Sequence, residues 1–325
     1  MTGTIGRWLL ASAVLAHYGV ALAQNPPPGY PSRPVRIIVS VAPGAGADAM
    51  ARAAAQMLSD KWGKNAVVDN RPGGGGVIAT ELVASAAPDG YTILSHGETL
   101  LLQGAQKRIT FDVLKAFDPI VGLSQQPYIL LVNLSLPFKS IKEMIAHTQK
   151  ERLTYSGAAG VGSTVHLGVE RFVQLSGAKL LFVPYKGSAP AIIAVIGGEI
   201  HMAAASSIAA TGAIRTGKVR ALANLGLTRI PSMPDLPTVA EQGFPGFKIT
   251  NRYQLFAPAG TPRPIILAIN HAISEGFHSP QMVQRLEAEG AQPVERATPE
   301  QLKATMVKDY AEIEQQVKLL GNRIQ

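Results

Sequence analysis

Ser163 and His166 stand three residues apart in Gly160-Val161-Gly162-Ser163-Thr164-Val165-His166, a spacing that puts both on one face of a helix, one turn apart. A serine beside a histidine is the beginning of nucleophilic acyl chemistry, in which the imidazole takes the hydroxyl proton. That chemistry also needs a third group to orient the base and a sharp Gly-x-Ser-x-Gly elbow to expose the nucleophile, and no such elbow surrounds Ser163. A binding loop fits the stretch better. Gly160 and Gly162 let backbone amides approach a ligand, and Ser163 and Thr164 can cap a helix and offer hydroxyls. His166 is then a ligand contact or a helix histidine held by packing.

A second glycine loop, Gly44-Ala45-Gly46-Ala47-Asp48-Ala49, fits the dinucleotide pattern, with Asp69 roughly where a ribose-binding acid would lie. A glycine loop at a helix start holds any anion through free N–H groups and the helix dipole, so a carboxylate satisfies it as well as a pyrophosphate. Asp48 reads as the N-cap of the helix rather than as a catalytic acid. Gly73-Gly74-Gly75-Gly76 lacks the lysine and hydroxyl of a phosphate-binding loop, because Val77-Ile78 follow. The seven histidines are dispersed, with no metal-ligand spacing, and there is no cysteine for a thiolate site, a disulfide or a nucleophile. No metal and no cofactor is expected. Glu98, beside His96, is the one acid placed to join a site.

The elements that must position these loops alternate. Val35 to Val39 reads as a strand ending at Pro43-Gly44, and an alanine-rich helix runs from Asp48 to Ser59. Strand, glycine loop and helix recur at Ala66 to Ala87, a third strand ends at Ser95-His96-Gly97, and the rhythm returns from Ile129 to Asn224. Helices at Pro264 to His278, Pro280 to Gly290 and Pro299 to Gly321 close the chain. The pattern predicts an α/β protein of two doubly wound units, parallel sheets flanked by helices, with ligands at the carboxyl ends of the strands.

Arg7, the apolar run Trp8 to Val20 and Ala21-Leu22-Ala23 have the order of a secretory signal, and the run is shorter than the roughly 20 residues of a spanning helix. Cleavage after Ala23 predicts an exported protein. Removing 23 residues from 325 leaves 302, which suits two lobes better than one core. The formal charge of +8 becomes +7 once Arg7 leaves. The basic residues are scattered, which argues against nucleic acid and is compatible with steering of acidic ligands.

Several segments carry a resemblance. Tyr30-Pro31-Ser32-Arg33-Pro34-Val35-Arg36, Ala42-Pro43-Gly44, Asn70-Arg71-Pro72-Gly73, Ala87-Pro88-Asp89-Gly90-Tyr91-Thr92, Val183-Pro184-Tyr185-Lys186-Gly187, Gly217-Lys218-Val219-Arg220-Ala221-Leu222-Ala223, Leu236-Pro237-Thr238-Val239-Ala240-Glu241 and Phe256-Ala257-Pro258-Ala259-Gly260-Thr261-Pro262 resemble, in collinear order over nearly all of the mature chain, the tripartite tricarboxylate transporter receptors, or Bug-type substrate-binding proteins. The resemblance implies a two-lobed type II periplasmic binding fold, a Venus flytrap, that clamps a di-, tri- or aromatic carboxylate and delivers it to membrane permease subunits. Lobe 1 is then expected at 24–127 and 252–325, lobe 2 at 128–251, in a monomer. The loop from Ala42, Pro43, Gly44, Ala45 and Gly46 to Asp48, and the loop from Gly160 to His166, are implied to hold the ligand from opposite lobes, with His96 and Gly97 facing the cleft.

Three departures from the family pattern matter. Ala205 stands where relatives often carry an aspartate suited to an amino group, so Ala205-Ser206-Ser207 speaks against an amino-acid ligand. Arg252-Tyr253-Gln254 replaces a tryptophan-x-glycine segment, and Glu98-Thr99 replaces small polar residues. Arg252 can clamp a second carboxylate bidentately, or join an interlobe salt link, or face solvent. The alternatives to a transport receptor are a ligand sensor for a signalling partner and an exported serine esterase.

Overall fold

The computed structural model describes residues 26–157 and 159–320; the expected signal at 1–23 and the expected helix end at Gly321 lie outside them. Three parallel strands open the chain: β1 (Val35–Val39), β2 (Ala66–Asn70) and β3 (Thr92–His96), joined through α1 (Gly46–Trp62) and α2 (Val77–Ala84). After α3 (Thr99–Ala105) and α4 (Val113–Ala116) comes β4 (Phe117–Val132), the longest strand. Then follow α5 (Ile141–Thr148), β5 (Leu153–Gly157), α6 (Thr164–Ser176), β6 (Leu180–Phe182), α7 (Ser188–Gly197), β7 (Met202–Ser206), α8 (Ser207–Arg215) and β8 (Arg220–Asn224). The chain returns through β9 (Thr250–Pro258) to α9 (Arg263–Phe277), α10 (Pro280–Ala288), β10 (Gln292–Pro293) and α11 (Pro299–Leu320).

The strand order is β2-β1-β3-β9-β4-β7-β5-β6, with β8 and β10 also pairing β4. Only the outer strands of each half are parallel. β9 runs antiparallel to β3 and β4, and β4 antiparallel to β7 and β8, so the fully parallel sheets expected from the alternation are corrected to mixed ones. A chain that leaves one half along β4 and comes back along β9 must run in opposite directions on neighbouring strands. β4 pairs β9 as far as Pro127 and pairs β7 and β8 beyond it, at Tyr128 to Val132 and at Ile129 to Val132, so one strand belongs to both halves.

Alternation along the strands builds a core on each face of each half. Val35, Ile37 and Val39 pack with α1 and α9, and Ile38 and Leu94 pack on the other face with Phe256 and Leu100. Likewise Leu130 and Val132 face Tyr155 and Phe172, while Ile129 and Leu131 face Ile192 and Val195. Caps set where the helices begin. Ser140 accepts from the Glu143 N–H, and Ser163 accepts from the His166 N–H, as their positions predict. Asp48 is different. It lies inside the first turn of α1, whose N-cap is Ala45, and its carboxylate reaches back to accept the Gly44 N–H at 3.0 Å, which corrects its expected role as the cap itself.

Candidate functional site

Where the two halves face each other the structure encloses a cavity lined by Ser40, Val41, Ala45 and Ala47 from the β1–α1 turn and by Gly75, Gly76, His96, Gly97 and Thr99 from the next two turns. Tyr128, Ala159 and Ser188 complete it from the second half, and Asn251 and Tyr253 from the returning strand. A second void lies inside the core of the second half, among Leu130, Ile141, Phe172, Phe247 and other apolar residues with Tyr155, and offers an acid no charged group or amide lining.

The cavity is polar without carrying charge. None of its lining side chains is a lysine, arginine, aspartate or glutamate. Burial lowers the His96 imidazole to about pKa 4, so the ring is neutral near pH 7, and the Gly97 N–H approaches its Nδ1 at 2.9 Å. Burial likewise pushes the Tyr128 and Tyr253 phenols upward, which keeps both as neutral hydroxyls. Positive potential comes from the backbone. α1, α6 and α7 all begin at or beside the cavity, at Gly46, Thr164 and Ser188, and the first amides of a helix have no acceptor within it. Gly46 and Ala47 supply such amides at the α1 end, and the arrangement can solvate a small anion by hydrogen bonds and dipoles alone.

The loops expected to bind are brought together, in different capacities. Ala45, His96 and Gly97 line the cavity and Gly46 borders it. Ala42, Pro43 and Gly44 form its rim: the Ala42 N–H donates to the Lys186 carbonyl at 2.8 Å, and a Cβ on Gly44 would lie 3.0 Å from that of Ala189. Thr164 meets Thr99 across the cleft, its N–H donating to Thr99 Oγ1 at 3.2 Å. Gly160 and Gly162 abut Gly75 and Arg108, and Arg108 Nη1 donates to the Val161 carbonyl at 2.6 Å. Gly162, at φ +77°, has room only for hydrogen, because a side chain would strike that guanidinium.

Other expected contacts are engaged elsewhere. The Ser163 hydroxyl donates to the Gly160 carbonyl at 2.9 Å while capping α6, which leaves it no free proton for a ligand. His166 accepts the Gly162 N–H on Nδ1 and packs on Phe182, ring centroids 4.0 Å apart. Asp48 is buried and binds Arg52 and the Asn70 amide besides Gly44, so it supports the loop from behind. Ala205 is part of the apolar core with Ile129 and Leu131. Arg252, for which a ligand clamp, a salt link and a solvated position were all open, pairs with Asp309 of α11, because alternation on β9 turns Asn251 and Tyr253 to the cavity and Arg252 to the opposite face.

Sequence reasoning missed Ser40, Thr99, Tyr128, Ser188, Asn251 and Tyr253 as lining residues. For Ser188 the signal was present in Lys186-Gly187-Ser188-Ala189-Pro190, a glycine followed by a helix start. For Asn251 and Tyr253 it was the period of two in a strand whose register a single sequence leaves open. Glu98 sits at the start of α3 with its N–H on Asn251 Oδ1. Burial raises its carboxyl to about pKa 7, against the pull of Arg252 and Lys248.

Two halves that share crossover strands and close on a neutral, amide-lined cavity define a two-lobed periplasmic binding protein. The comparisons make the family explicit. Residues 50–319 match the model of the TctC family, described as the tripartite tricarboxylate transporter family receptor, and the chain belongs to that family. It is 37% identical over 276 residues to Protein BugT of Bordetella pertussis, covering 84% of each chain. Its fold matches the periplasmic binding protein BugD with a TM-score of 0.84 at 32% identity, covering 90% of this chain and 99% of that one. An R. palustris protein with adipate matches at 0.83 and 30%, covering 88% and 96%. MatC from Rhodopseudomonas palustris with bound malate matches at 0.81 and 29%, covering 88% and 99%. The family is one of binding proteins rather than enzymes.

Proposed function

We propose that this receptor captures a small carboxylic acid from the periplasm between a lobe of residues 24–127 and 252–325 and a lobe of residues 128–251, and hands it to the membrane permease of a tripartite transporter. The observation that carries the reading is the cavity itself: helix starts and neutral hydroxyls surround it, and no charged side chain lines it. A carboxylate finds donors there, whereas an ammonium group finds no counter-charge. Relatives of the same fold hold adipate and malate, both carboxylates. Bending of β4 and β9 opens and closes the cleft, the hinge motion of a two-lobed receptor. The protein acts as a monomer exported by a signal cleaved after Ala23.

The test is a thermal-shift panel of mono-, di- and tricarboxylates, aromatic acids, amino acids and sugars, since a ligand that binds only the folded form raises Tm. Acids alone are expected to shift it. Stabilisation by amino acids or sugars and by no simple acid would overturn the reading. A periplasmic mature form beginning at Gln24 is expected in cell fractions; an uncleaved chain would sink the export assignment.

A further inference from the structure

The basic residues look scattered along the chain, but their excess belongs to one half of the molecule. Residues 128–251 hold twelve Lys and Arg against six Asp and Glu, a net charge of +6, whereas residues 24–127 and 252–325 together hold 17 against 16. Ion pairs divide the other way. Among the described residues only two, His147 with Glu151 and Arg229 with Glu241, fall in the second half, while ten join charges of the first. The first half neutralises itself and the second keeps its positive charge. Such asymmetry points to a partner with an anionic surface.

Strand register gathers much of that charge at one pole. β4 ends at Val132 beside Met202 and Arg220, where β7 and β8 begin, and β5 and β6 begin side by side at Leu153 and Leu180. Tyr128, which lines the cavity, is at the other end of this sheet, so the pole faces away from the cleft. Lys139 follows β4, Lys142 is in the first turn of α5, Lys150 and Arg152 lead into β5, and Lys179 and Lys218 stand just before β6 and β8. All six are exposed, and none forms an ion pair among the described residues. The turns that carry them are tied together: the Leu153 N–H donates to the Lys179 carbonyl at 3.2 Å, Gln149 Nε2 to the Gly177 carbonyl at 3.0 Å, and Arg220 Nη1 to the Leu136 carbonyl at 2.8 Å. Three acids share the pole and are engaged locally. Glu143 accepts the Lys139 N–H, Glu151 faces His147, and Glu199 accepts the Tyr185 hydroxyl.

The residue types say which anionic surface fits. Five of the six are lysines, compact charges on flexible stems, which follow mobile phosphates but lack the planar fork that fixes a carboxylate in one geometry. Leu134, on the turn after β4, and Leu175, in the last turn of α6, are 48% and 58% exposed at the same pole. Exposed leucine among lysines is the pattern of a lipid interface, where the charge meets headgroups and the apolar group enters between them. Phe138, on the same turn as Lys139, is buried, which leaves no aromatic platform there for a nucleic acid.

We propose that this pole docks on an anionic phospholipid surface, so that the receptor works beside the membrane with its cleft turned away from the lipid. The proposal does not depend on which acid the cleft takes. It is tested by co-sedimentation of the mature protein with phosphatidylcholine vesicles made with and without phosphatidylglycerol. Binding is expected to the anionic vesicles alone and to be lost as ionic strength rises. A basic side chain near such a surface contributes about fivefold in affinity, so Lys139→Gln, Lys142→Gln and Lys150→Gln combined should weaken binding on the order of a hundredfold. The same loss of charge in the first half, Lys64→Gln, Lys308→Gln and Lys318→Gln, should weaken it far less. Both triple variants should keep the acid-induced Tm shift of the wild type, which shows them folded. Equal weakening by the two variants would reduce the effect to net charge and overturn the assignment to this pole. Equal binding to neutral vesicles, or no binding to anionic ones, overturns the lipid partner, the second outcome in favour of an acidic protein surface.

Discussion

The hydroxyls of Thr99 and Thr164 lie 3.2 Å apart, at the starts of α3 and α6 in opposite halves of the molecule. With the Thr164 N–H also on Thr99 Oγ1, they form a direct polar link between the lobes beside the cavity. Thr99→Val leaves that N–H unpaired only when the cleft is closed. An unmade buried hydrogen bond costs about 1–3 kcal/mol, so acid affinity should drop by roughly 5- to 150-fold. The ligand-free Tm should barely move. Unchanged affinity by calorimetry would remove this link from the closed state.

Gly46→Ala separates folding from closure. Gly46 is the first residue of α1 and its backbone needs no positive φ, so alanine there costs the open molecule little. The added methyl would lie 2.8 Å from Ser206 Oγ across the cleft, and 2.6 Å from the amide end of Gln126 in its own lobe, a flexible side chain that can turn aside. Unfolding in urea should change by less than about 1 kcal/mol, while the ligand-induced Tm shift disappears. A retained shift would mean that the halves close differently.

Asp48→Ala tests support from behind the loop. Its burial raises the carboxyl pKa, but bonds from Arg52, Gly44 and Asn70 outweigh that and bring it below the usual aspartate value. Hydrogen bonds to a charged group contribute about 1.5–3 kcal/mol, and we expect a loss of about 2–3 kcal/mol at pH 7 by urea titration. Because the folded pKa is depressed, the contribution is present above about pH 4 and is lost as pH falls through the folded value. The deficit of the variant should therefore shrink in acid.

His96 and Glu98 drive stability in opposite directions. The folded imidazole titrates near 4 against 6.5 for the free side chain, so the unfolded chain binds the extra proton and stability falls from about pH 6.5 down to about 4. The full shift corresponds to about 3 kcal/mol. Glu98 is raised from 4.5 to about 7, so the folded form holds the proton and stability falls as pH rises through that window. The two offset each other between about pH 4.5 and 6.5. Glu98→Gln should raise Tm at pH 8 and expose a steeper loss in acid; parallel Tm profiles for wild type and variant would refute the Glu98 assignment.

Arg252→Ala distinguishes a structural arginine from a ligand clamp. The pair with Asp309 is largely shielded, at 20% and 24% side-chain exposure, and lies on the face of β9 away from the cavity. Tm should fall, and acid affinity should stay within about threefold, a difference of under 1 kcal/mol. A larger loss of affinity would return Arg252 to the site.

The amino-acid sequence alone determined the features that are local. Apolar runs such as Val35 to Val39 and Arg220 to Asn224 declared their strands, Ser140 and Ser163 declared their helix starts, and collinear short motifs declared the family. Long-range pairing decided the rest. β4 was legible only at Ile129 to Val132, because Pro119, Gly122 and Pro127 interrupt the pattern that two bulges and the pairing with β9 accommodate. Which face of β9 meets the cavity depends on register, and a slip of one residue would exchange Arg252 for Tyr253. Whether a hydroxyl is free depends likewise on neighbours: Ser163 and Ser206 look alike in sequence, yet one is engaged by its own loop and helix and the other meets the Tyr253 hydroxyl of a distant strand. Residue type fixes what a group can donate or accept; only the tertiary contacts decide whether anything in the chain has already taken it.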